Sequence, residues 1–205
     1  GGLPDCTGLV QLEVSASDNC ASGEDLTVRI DVDVANDGDV DIVDAGAALA
    51  AGFDAPIDEH RLIITINDGC GNITVEERIF EVADKKAPTP ICINGLAIEL
   101  MPDDEGGAMM GVWASDFVAS PVYDCSGQGP QTNDAGLLEV TDYYIVIDSI
   151  EGVSEFDPAN PQTGVTFTCD GLDQLQYVEI HAVDTEGNHD YCVTFVEVQD
   201  NMGHC

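Results

Sequence analysis

Short segments in which apolar and polar residues alternate recur along the whole chain. They are LVQLEVSA, LTVRIDVDV and RLIITIND in the first half, and YYIVID, GVTFTC, QYVEIHAV and CVTFVEV in the second. This period of two puts one set of side chains on a buried face and the other set in solvent, as a half-buried antiparallel sheet requires. In the first three segments, the apolar residues expected to face inward are Val10, Leu12, Val14, Val28, Ile30, Val32, Val34, Leu62, Ile64 and Ile66.

The residues between these segments indicate which β fold they form. Gly, Asp, Asn and Pro turns separate the short strands, and this spacing favours a β-sandwich over βαβ units. Only DAGAALAAGFDAP, near residue 50, has some helical propensity, and its glycines and Pro56 limit it to a short helix or a loop. The predicted fold class is all-β.

Two segments share the same ending, which indicates a duplicated domain. Residues 68–84 read DGCGNITVEERIFEVAD and residues 184–200 read DTEGNHDYCVTFVEVQD; each opens on Asp, continues through Gly-Asn and closes on Asp. After the first copy, DKKAPTPIC has the two closely spaced prolines typical of a stiff connector. We therefore predict one β-sandwich over 1–86 and a longer one, with acidic loop insertions, over 87–205. The second copy is followed by DNMGHC, at the position where the first copy is followed by its connector. We therefore expect one unit of a longer series or an end that docks onto a neighbouring subunit.

The chain is extremely acidic. It has 40 Asp and Glu against 5 Lys and Arg, a formal net charge of -35, and all its basic residues lie within the first 86 positions. Such a surface repels nucleic acid and anionic lipid, so neither is an expected partner. Carboxylates at this density repel one another unless cations screen or bind them, so we expect bound divalent metal; diffuse counterions are the alternative.

Eight dispersed cysteines indicate disulfides rather than a zinc site. They form no C-x-x-C pair, and the four histidines do not lie at zinc-ligand spacing beside them. Disulfides imply an oxidising compartment, and 105 pairings of eight cysteines are possible. The sequence begins at Gly1 and shows no long apolar stretch, so we expect a secreted or cell-surface protein whose export signal was removed, or part of a longer chain, without membrane insertion.

Some of these motifs resemble a known family. DNC, followed by INDGCGNITVEERIFEVADKKAP, resembles the hyalin repeat (HYR) family of immunoglobulin-like modules. The second half, with APTPICINGLAIELMP, VWASDFVASPVYDCSG and VEIHAVDTEGNHDYC, is similar to a companion repeat of large bacterial surface proteins exported by the type IX route. The acidic run DVDVANDGDVDIVD departs from the family pattern. The resemblance implies two tandem immunoglobulin-like β-sandwiches, in a family whose modules serve as stalks, adhesins and filament components.

The resemblance also implies one disulfide. It places Cys20 and Cys70 at matching ends of two strands, where they would pair. If the second domain is self-contained, Cys92, Cys125, Cys169 and Cys192 pair among themselves. Cys6 and Cys205 would then close onto each other or link one unit to the next.

An acidic run is the first candidate calcium site. Calcium takes six to eight oxygen ligands, and a turn at Asn36-Asp37-Gly38-Asp39 gathers carboxylates. The run misses the EF-hand pattern by one residue and lacks its bidentate Glu, so we predict an irregular loop. Its candidate ligands are Asp31, Asp33, Asn36, Asp37, Asp39, Asp41 and Asp44.

Other acidic residues suit either a metal or a turn. Asp103, Asp104 and Glu105 lie in a Gly-flanked loop that is either solvated or metal-binding. Asp68 and Asp184 each precede a Gly-Asn turn, where an Asp side chain caps the turn through hydrogen bonds to the backbone. Calcium binding is the alternative for these two.

The sequence contains none of the catalytic motifs considered below, and we predict no enzyme activity. The four histidines lie in separate segments, without a G-x-S-x-G, H-E-x-x-H or P-loop pattern.

Asn72 and Ser149 lie in short glycosylation acceptor patterns. Aromatic residues suit a carbohydrate platform or, more often at strand positions, a core: Trp113, Tyr123, Tyr143, Tyr144, Tyr177 and Tyr191.

These features favour a structural role. The first hypothesis is a subunit or repeat unit of an extracellular filament or surface stalk, with disulfides and calcium, whose partners are copies of itself or neighbouring repeats joined through termini and edge strands. The alternative is an adhesin module that binds a surface glycan or a protein through loops at one end of a sandwich. A third hypothesis is a non-catalytic domain of a secreted hydrolase.

Overall fold

A computed structural model describes residues 6–19, 26–103, 106–147, 154, 156–172 and 174–205. The chain divides into two compact units, Gly1–Asp84 (unit 1) and Lys85–Cys205 (unit 2), and each is described by itself. Strands dominate both units, which confirms the all-β class. One short α-helix, α1 (Gly46–Ala51), lies in the segment for which the sequence allowed a short helix. In the described part of the chain, no helix is long and apolar enough to cross a membrane.

Unit 1 contains a three-stranded antiparallel sheet and a two-stranded one. The larger sheet has the order β2-β4-β5, and β1 pairs with β3 in the smaller. The strands are β1 (Thr7–Val10), β2 (Thr27–Asp33), β3 (Phe53–Pro56), β4 (Asp58–Asn67) and β5 (Ile73–Val82).

The core of unit 1 lies against one face of the larger sheet. Ile30 and Val32 of β2 and Leu62 and Ile64 of β4 are buried together with Leu49 of α1. The inward faces predicted for β2 and β4 are therefore confirmed. Both strands owe this face to the period-two alternation.

The first alternating segment forms a strand over only part of its length. Val10 pairs with Phe53, the first residue of β3, so no partner strand remains for the residues that follow. Leu12 donates its N–H to the Leu49 carbonyl oxygen at 3.1 Å instead, and its side chain is 37% exposed. The prediction that Leu12 faces inward is wrong, because an extended segment without a partner strand is not held in register.

Unit 2 contains three sheets. Their orders are β11-β13-β14-β6, β12-β8-β7 and β9-β10. The strands are β6 (Leu96–Glu99), β7 (Met101–Pro102), β8 (Ala108–Trp113), β9 (Val122–Asp124), β10 (Leu138–Val140), β11 (Asp142–Ile147), β12 (Gly164–Thr168), β13 (Leu175–Val183) and β14 (His189–Gln199).

The four-stranded and three-stranded sheets of unit 2 share one core. Val178 and Val196 come from the four-stranded sheet, Val112 and Phe167 come from the three-stranded sheet, and all are at most 4% exposed. Phe117, on a 3-10 turn after β8, is fully buried among them. Apolar side chains of two sheet faces therefore pack against each other, as in layered β proteins.

The first and last strands of unit 2 are neighbours. Leu96–Glu99 of β6 pairs in parallel with Val196–Gln199 of β14. Next to this pairing, a disulfide joins Cys92, before β6, to Cys192 in β14, 100 residues apart. Hydrogen bonds and a covalent bond thus tie the beginning of unit 2 to its end.

The last residue is also bonded covalently. Cys205 forms a disulfide with Cys169, at the end of β12. The Asp200 carboxylate holds the last residues in a turn, because it accepts hydrogen bonds from the N–H groups of His204 at 2.9 Å and Cys205 at 2.8 Å. The prediction that the four central cysteines of unit 2 pair among themselves is therefore wrong, as is a bond between Cys6 and Cys205.

The remaining cysteines differ in state. Cys6 and Cys125 are disulfide-bonded. Cys70 is an exposed free thiol, so its predicted bond to Cys20 is not formed; Cys20 lies outside the described residues. The disulfides indicate an oxidising environment.

Candidate functional site

The buried aspartates of the predicted calcium run have arginine partners. Asp33 is fully buried and accepts hydrogen bonds from Arg61 Nη2 at 2.6 Å and from the N–H groups of Asp37 and Gly38. Burial would raise the pKa of Asp33, but these hydrogen bonds outweigh it and hold the pKa below its usual value. A carboxylate with all these partners stabilises the loop that follows β2.

Asp31 is held in the same way. Its Oδ1 accepts Arg29 Nε and the Asp44 N–H, both at 2.9 Å. The hydrogen bond from Arg29 is the main reason why the pKa of Asp31 is lowered. Arg29 and Arg61 lie on neighbouring strands, so the sheet brings one cation to each aspartate.

The rest of the run forms turns. Asp41 Oδ2 accepts the Val34 N–H at 2.7 Å, and Asp37 Oδ1 accepts the Asp39 N–H at 3.0 Å. The Asn36 Nδ2 amide donates a hydrogen bond to Glu59 Oε1 at 2.8 Å. Five of the seven side chains predicted as calcium ligands thus engage the backbone, arginines or a neighbouring strand: Asp31, Asp33, Asn36, Asp37 and Asp41.

In unit 2, one side chain of the acidic loop that was predicted as either a solvated turn or a metal site caps the backbone. Asp103 Oδ1 accepts the Gly107 N–H at 2.7 Å, between β7 and β8. Asp104 and Glu105 lie outside the described residues.

The two copies of the repeated ending have the same turn. Asp68 Oδ1 accepts the Asn72 N–H at 2.9 Å, and Asp184 Oδ1 accepts the Asn188 N–H at 2.8 Å. In each copy the other carboxylate oxygen accepts the Asn side-chain amide. Gly187 supplies a positive φ of 80° in the second turn. The predicted capping role of both aspartates is confirmed.

In unit 2, two buried aspartates bring oxygen donors together. Asp124 and Asp184 are each at most 5% exposed, and one carboxylate oxygen of each lies within 4.8 Å of the other. Asp124 ends β9, and Asp184 follows β13. Carboxylate oxygens are typical ligands of calcium.

The sequence predicted only part of this pair. Asp184 was a candidate because of its turn, but Asp124 was not singled out as a ligand. Asp124 could be recognised only by its position at the end of a strand, where a sheet can bring distant residues together. No spacing along the chain reveals that proximity.

Glu179 and His181 form a buried polar pair on the outer face of β13. His181 Nε2 lies 2.9 Å from Glu179 Oε2, and Ser154 Oγ donates to the same oxygen at 2.6 Å. The rings of Phe156 and Tyr191 stack on His181, with centroids 4.2 and 4.9 Å away. Burial lowers the pKa of His181, and the hydrogen bond to Glu179 opposes this shift.

The geometry of this pair differs from that of a catalytic triad. Ser154 Oγ lies 3.4 Å from His181 Nε2, the same ring nitrogen that Glu179 contacts. In a triad, the acid and the serine occupy different nitrogens of the histidine. His181 Nδ1 is buried and has no hydrogen-bond partner among the described residues. The contacts hold Ser154 and Phe156 against β13.

The exposed aromatic residues lie on two different faces. Trp113 is 59% exposed on the outer face of the three-stranded sheet of unit 2, beside Gly164. Tyr177 and Tyr191 are on the outer face of the four-stranded sheet, and Tyr143 packs toward the core. Because both sheets share one core, their outer faces point away from each other, and these residues do not form a single platform.

Comparison with known proteins adds no relative. No family model matches the sequence, and no curated protein matches it at a significant level.

Of the two glycosylation candidates, Asn72 is exposed in the turn after Asp68, and Ser149 lies outside the described residues.

Proposed function

We propose that this chain is a structural subunit, or one repeat unit, of an extracellular filament or cell-surface stalk. Its role is to transmit tension between its two ends, and it has no enzymatic activity. Copies of the chain or neighbouring repeats are its partners, and they join through its termini and edge strands.

One observation carries this proposal: the parallel pairing of β6 with β14 beside the Cys92–Cys192 disulfide. Tension applied at the two ends of unit 2 pulls on the start of β6 and the end of β14. When the disulfide is reduced, the four residue pairs between these parallel strands are loaded together in shear. When it is intact, the disulfide carries the force from Cys92 to Cys192 and keeps the residues between them out of the path of the force.

The resemblance to hyalin repeats supports the same role. We propose an immunoglobulin-like sandwich for each unit, of a kind found in stalks and filaments. In unit 2, two sheets that share one core support this fold. The disulfides agree with secretion into an oxidising environment.

Calcium belongs to the proposal. The pair formed by Asp124 and Asp184 in unit 2 supports a cation site, since two buried carboxylates this close repel each other and a divalent cation relieves that repulsion. A bound divalent cation would stabilise the ends of the strands that hold these residues.

The alternative is an adhesin module. Its specific support is Trp113, whose exposed ring lies beside Gly164 on an open sheet face. A sugar ring can stack on such a surface. This face would take the place of the sandwich-end loops expected from the sequence.

Electron microscopy of the native material separates the two functions. The structural role predicts regular fibres or stalks that contain the chain, whereas the adhesin role predicts dispersed monomers. A monomer that binds a defined glycan, with binding lost in Trp113→Ala and retained in Tyr177→Ala, would reverse the ranking.

A further inference from the structure

β5 is a long edge strand. It pairs with β4 over ten residues, and β4 is its only partner strand among the residues that the structure describes. Along the other side of an edge strand, backbone N–H and C=O groups are available to a further strand. Natural edge strands are commonly short or interrupted by proline, and β5 is neither.

The side chains of β5 are apolar around a charged centre. Ile73, Val75 and Ile79 are 64%, 58% and 59% exposed and lie on the same face of the sheet. On the opposite face, Glu76 contacts Arg78. Charges on an edge strand usually oppose association, but this strand carries both signs two residues apart.

We propose that β5 pairs with β5 of a second copy of this chain, antiparallel and around a twofold axis at Glu77. This register places Val75 opposite Ile79 of the partner on one face. On the other face it places Glu76 opposite Arg78. Each of these contacts occurs twice, because a twofold interface is self-complementary.

The charge pattern selects this register from its neighbours. A shift of the axis to Arg78 sets two arginines against each other and Val75 against Glu81. A shift to Glu76 sets two glutamates against each other and Val75 against Glu77. Only the axis at Glu77 combines the opposite-charge pairs with the apolar pairs, each of which stabilises a sheet.

The like charges on the axis have a counterion within the chain. The two copies of Glu77 face each other, but Arg61 Nη1 lies 3.6 Å from Glu77 Oε2 on the neighbouring strand. Two copies of Arg61 would therefore flank two copies of Glu77. The pairing joins two three-stranded sheets into one of six strands.

This inference rests on the proposed function in one respect, that the partner is a copy of the chain. It deepens that proposal by naming the strand and register of one contact. A twofold contact closes into a dimer, so extension into a fibre requires a second contact elsewhere.

Charge reversal tests the pairing. We expect the full chain to form dimers in sedimentation equilibrium, and Glu76→Arg or Arg78→Glu alone to be monomeric. The double variant restores the dimer, because its charges remain complementary. A mixture of the two single variants forms a heterodimer, since one copy carries two arginines and the other two glutamates. Lys85→Glu, an exposed site outside β5, is the matched control and stays dimeric.

A cysteine placed on the axis tests the register. In a Cys70→Ser background, Glu77→Cys should form a disulfide-linked dimer under mild oxidation, whereas Glu81→Cys, which faces Ile73 of the partner, should not. A monomeric wild-type chain, or a double reversal that fails to restore the dimer, overturns the inference. Fibres that persist in Arg78→Glu would overturn this contact while leaving the structural function in place.

Discussion

At the residue scale, aspartates act mainly through backbone hydrogen bonds. Asp68 and Asp184 each close a hairpin turn with an asparagine four residues later, and Asp200 folds the chain end. The repeated sequence predicted the two turns because the interaction is local. Side-chain capping of this kind needs only the right residue types at a short spacing.

Removing the Asp68 carboxylate should destabilise unit 1 in a pH-dependent way. The hydrogen bond from the Asn72 side chain is the main reason why the pKa of Asp68 is lowered. Its stabilising effect is therefore complete above the unfolded-state pKa, about 3.9, and is lost as the pH falls through the lower folded-state value. Thermal melts should show a lower melting temperature for Asp68→Ala at pH 7, and the difference should disappear under strongly acidic conditions. A difference that persists there, or that matches the exposed control Asp54→Ala throughout, would contradict this role.

Asp33 shows what local patterns miss at the predicted calcium run. Its counterion, Arg61, is 28 residues away and reaches it only because β2 and β4 pair in one register. The spacing of acidic residues indicated a ligand set, whereas the sheet supplies arginines. No short segment of the sequence indicates a pairing between residues this far apart.

Arg61→Ala should therefore destabilise unit 1 more than Arg29→Ala. The first variant leaves the carboxylate of a fully buried Asp33 without its arginine, whereas the side chain of Arg29 is 55% exposed. Removing one partner of a buried ion pair leaves an uncompensated charge. The comparison is made on urea unfolding midpoints at pH 7, and equal shifts would show that Asp33 does not depend on Arg61.

At the element scale, alternation predicted strand faces but not strand lengths. Ile30, Val32, Leu62 and Ile64 face the core as expected. Leu12 does not, because β1 ends at Val10, opposite the first residue of its antiparallel partner strand β3. The face of a strand is a local property, whereas its length depends on a neighbour that is distant in sequence.

The disulfide between the first and last strands should stabilise unit 2 strongly. Cys92 and Cys192 are 100 residues apart, and closing a loop of this length contributes about 4.7 kcal/mol in the chain-entropy model. Replacing both cysteines with alanine should lower the free energy of unfolding by about that amount in denaturant titrations. Cys70→Ser, which removes an exposed free thiol, should have almost no effect. Equal stabilities of the two variants would mean that the disulfide does not constrain the unfolded chain.

At the scale of the whole molecule, the net negative charge is the property that most affects compaction and association. A net charge of -35 opposes compaction and association, so cations should favour both. The buried pair Asp124 and Asp184 in unit 2 gives this general effect a specific place. Composition predicted the need for cations, but only the fold brings these two residues together.

Removal of calcium should lower the melting temperature, and Asp124→Asn should reduce this dependence. The variant loses one charged ligand but also part of the repulsion among the carboxylates. It should therefore bind calcium more weakly in calorimetric titrations and lose little stability in chelator. Asp103→Asn is the control, and its calcium response should equal that of the wild type. A wild-type melting temperature that is unchanged by chelator would remove calcium from the account.

The transmission of tension through unit 2 can be measured by pulling single molecules of the full chain between position 85 and the C-terminus. In the oxidised protein the shortest covalent path runs from Lys85 to Cys92, across the disulfide, and from Cys192 to Cys205, and the Cys169–Cys205 disulfide closes a parallel path that adds no length. At about 3.6 Å per extended residue, the account predicts a gain in length below about 7 nm when oxidised and about 40 nm after reduction. A gain of about 40 nm in the oxidised protein would contradict it.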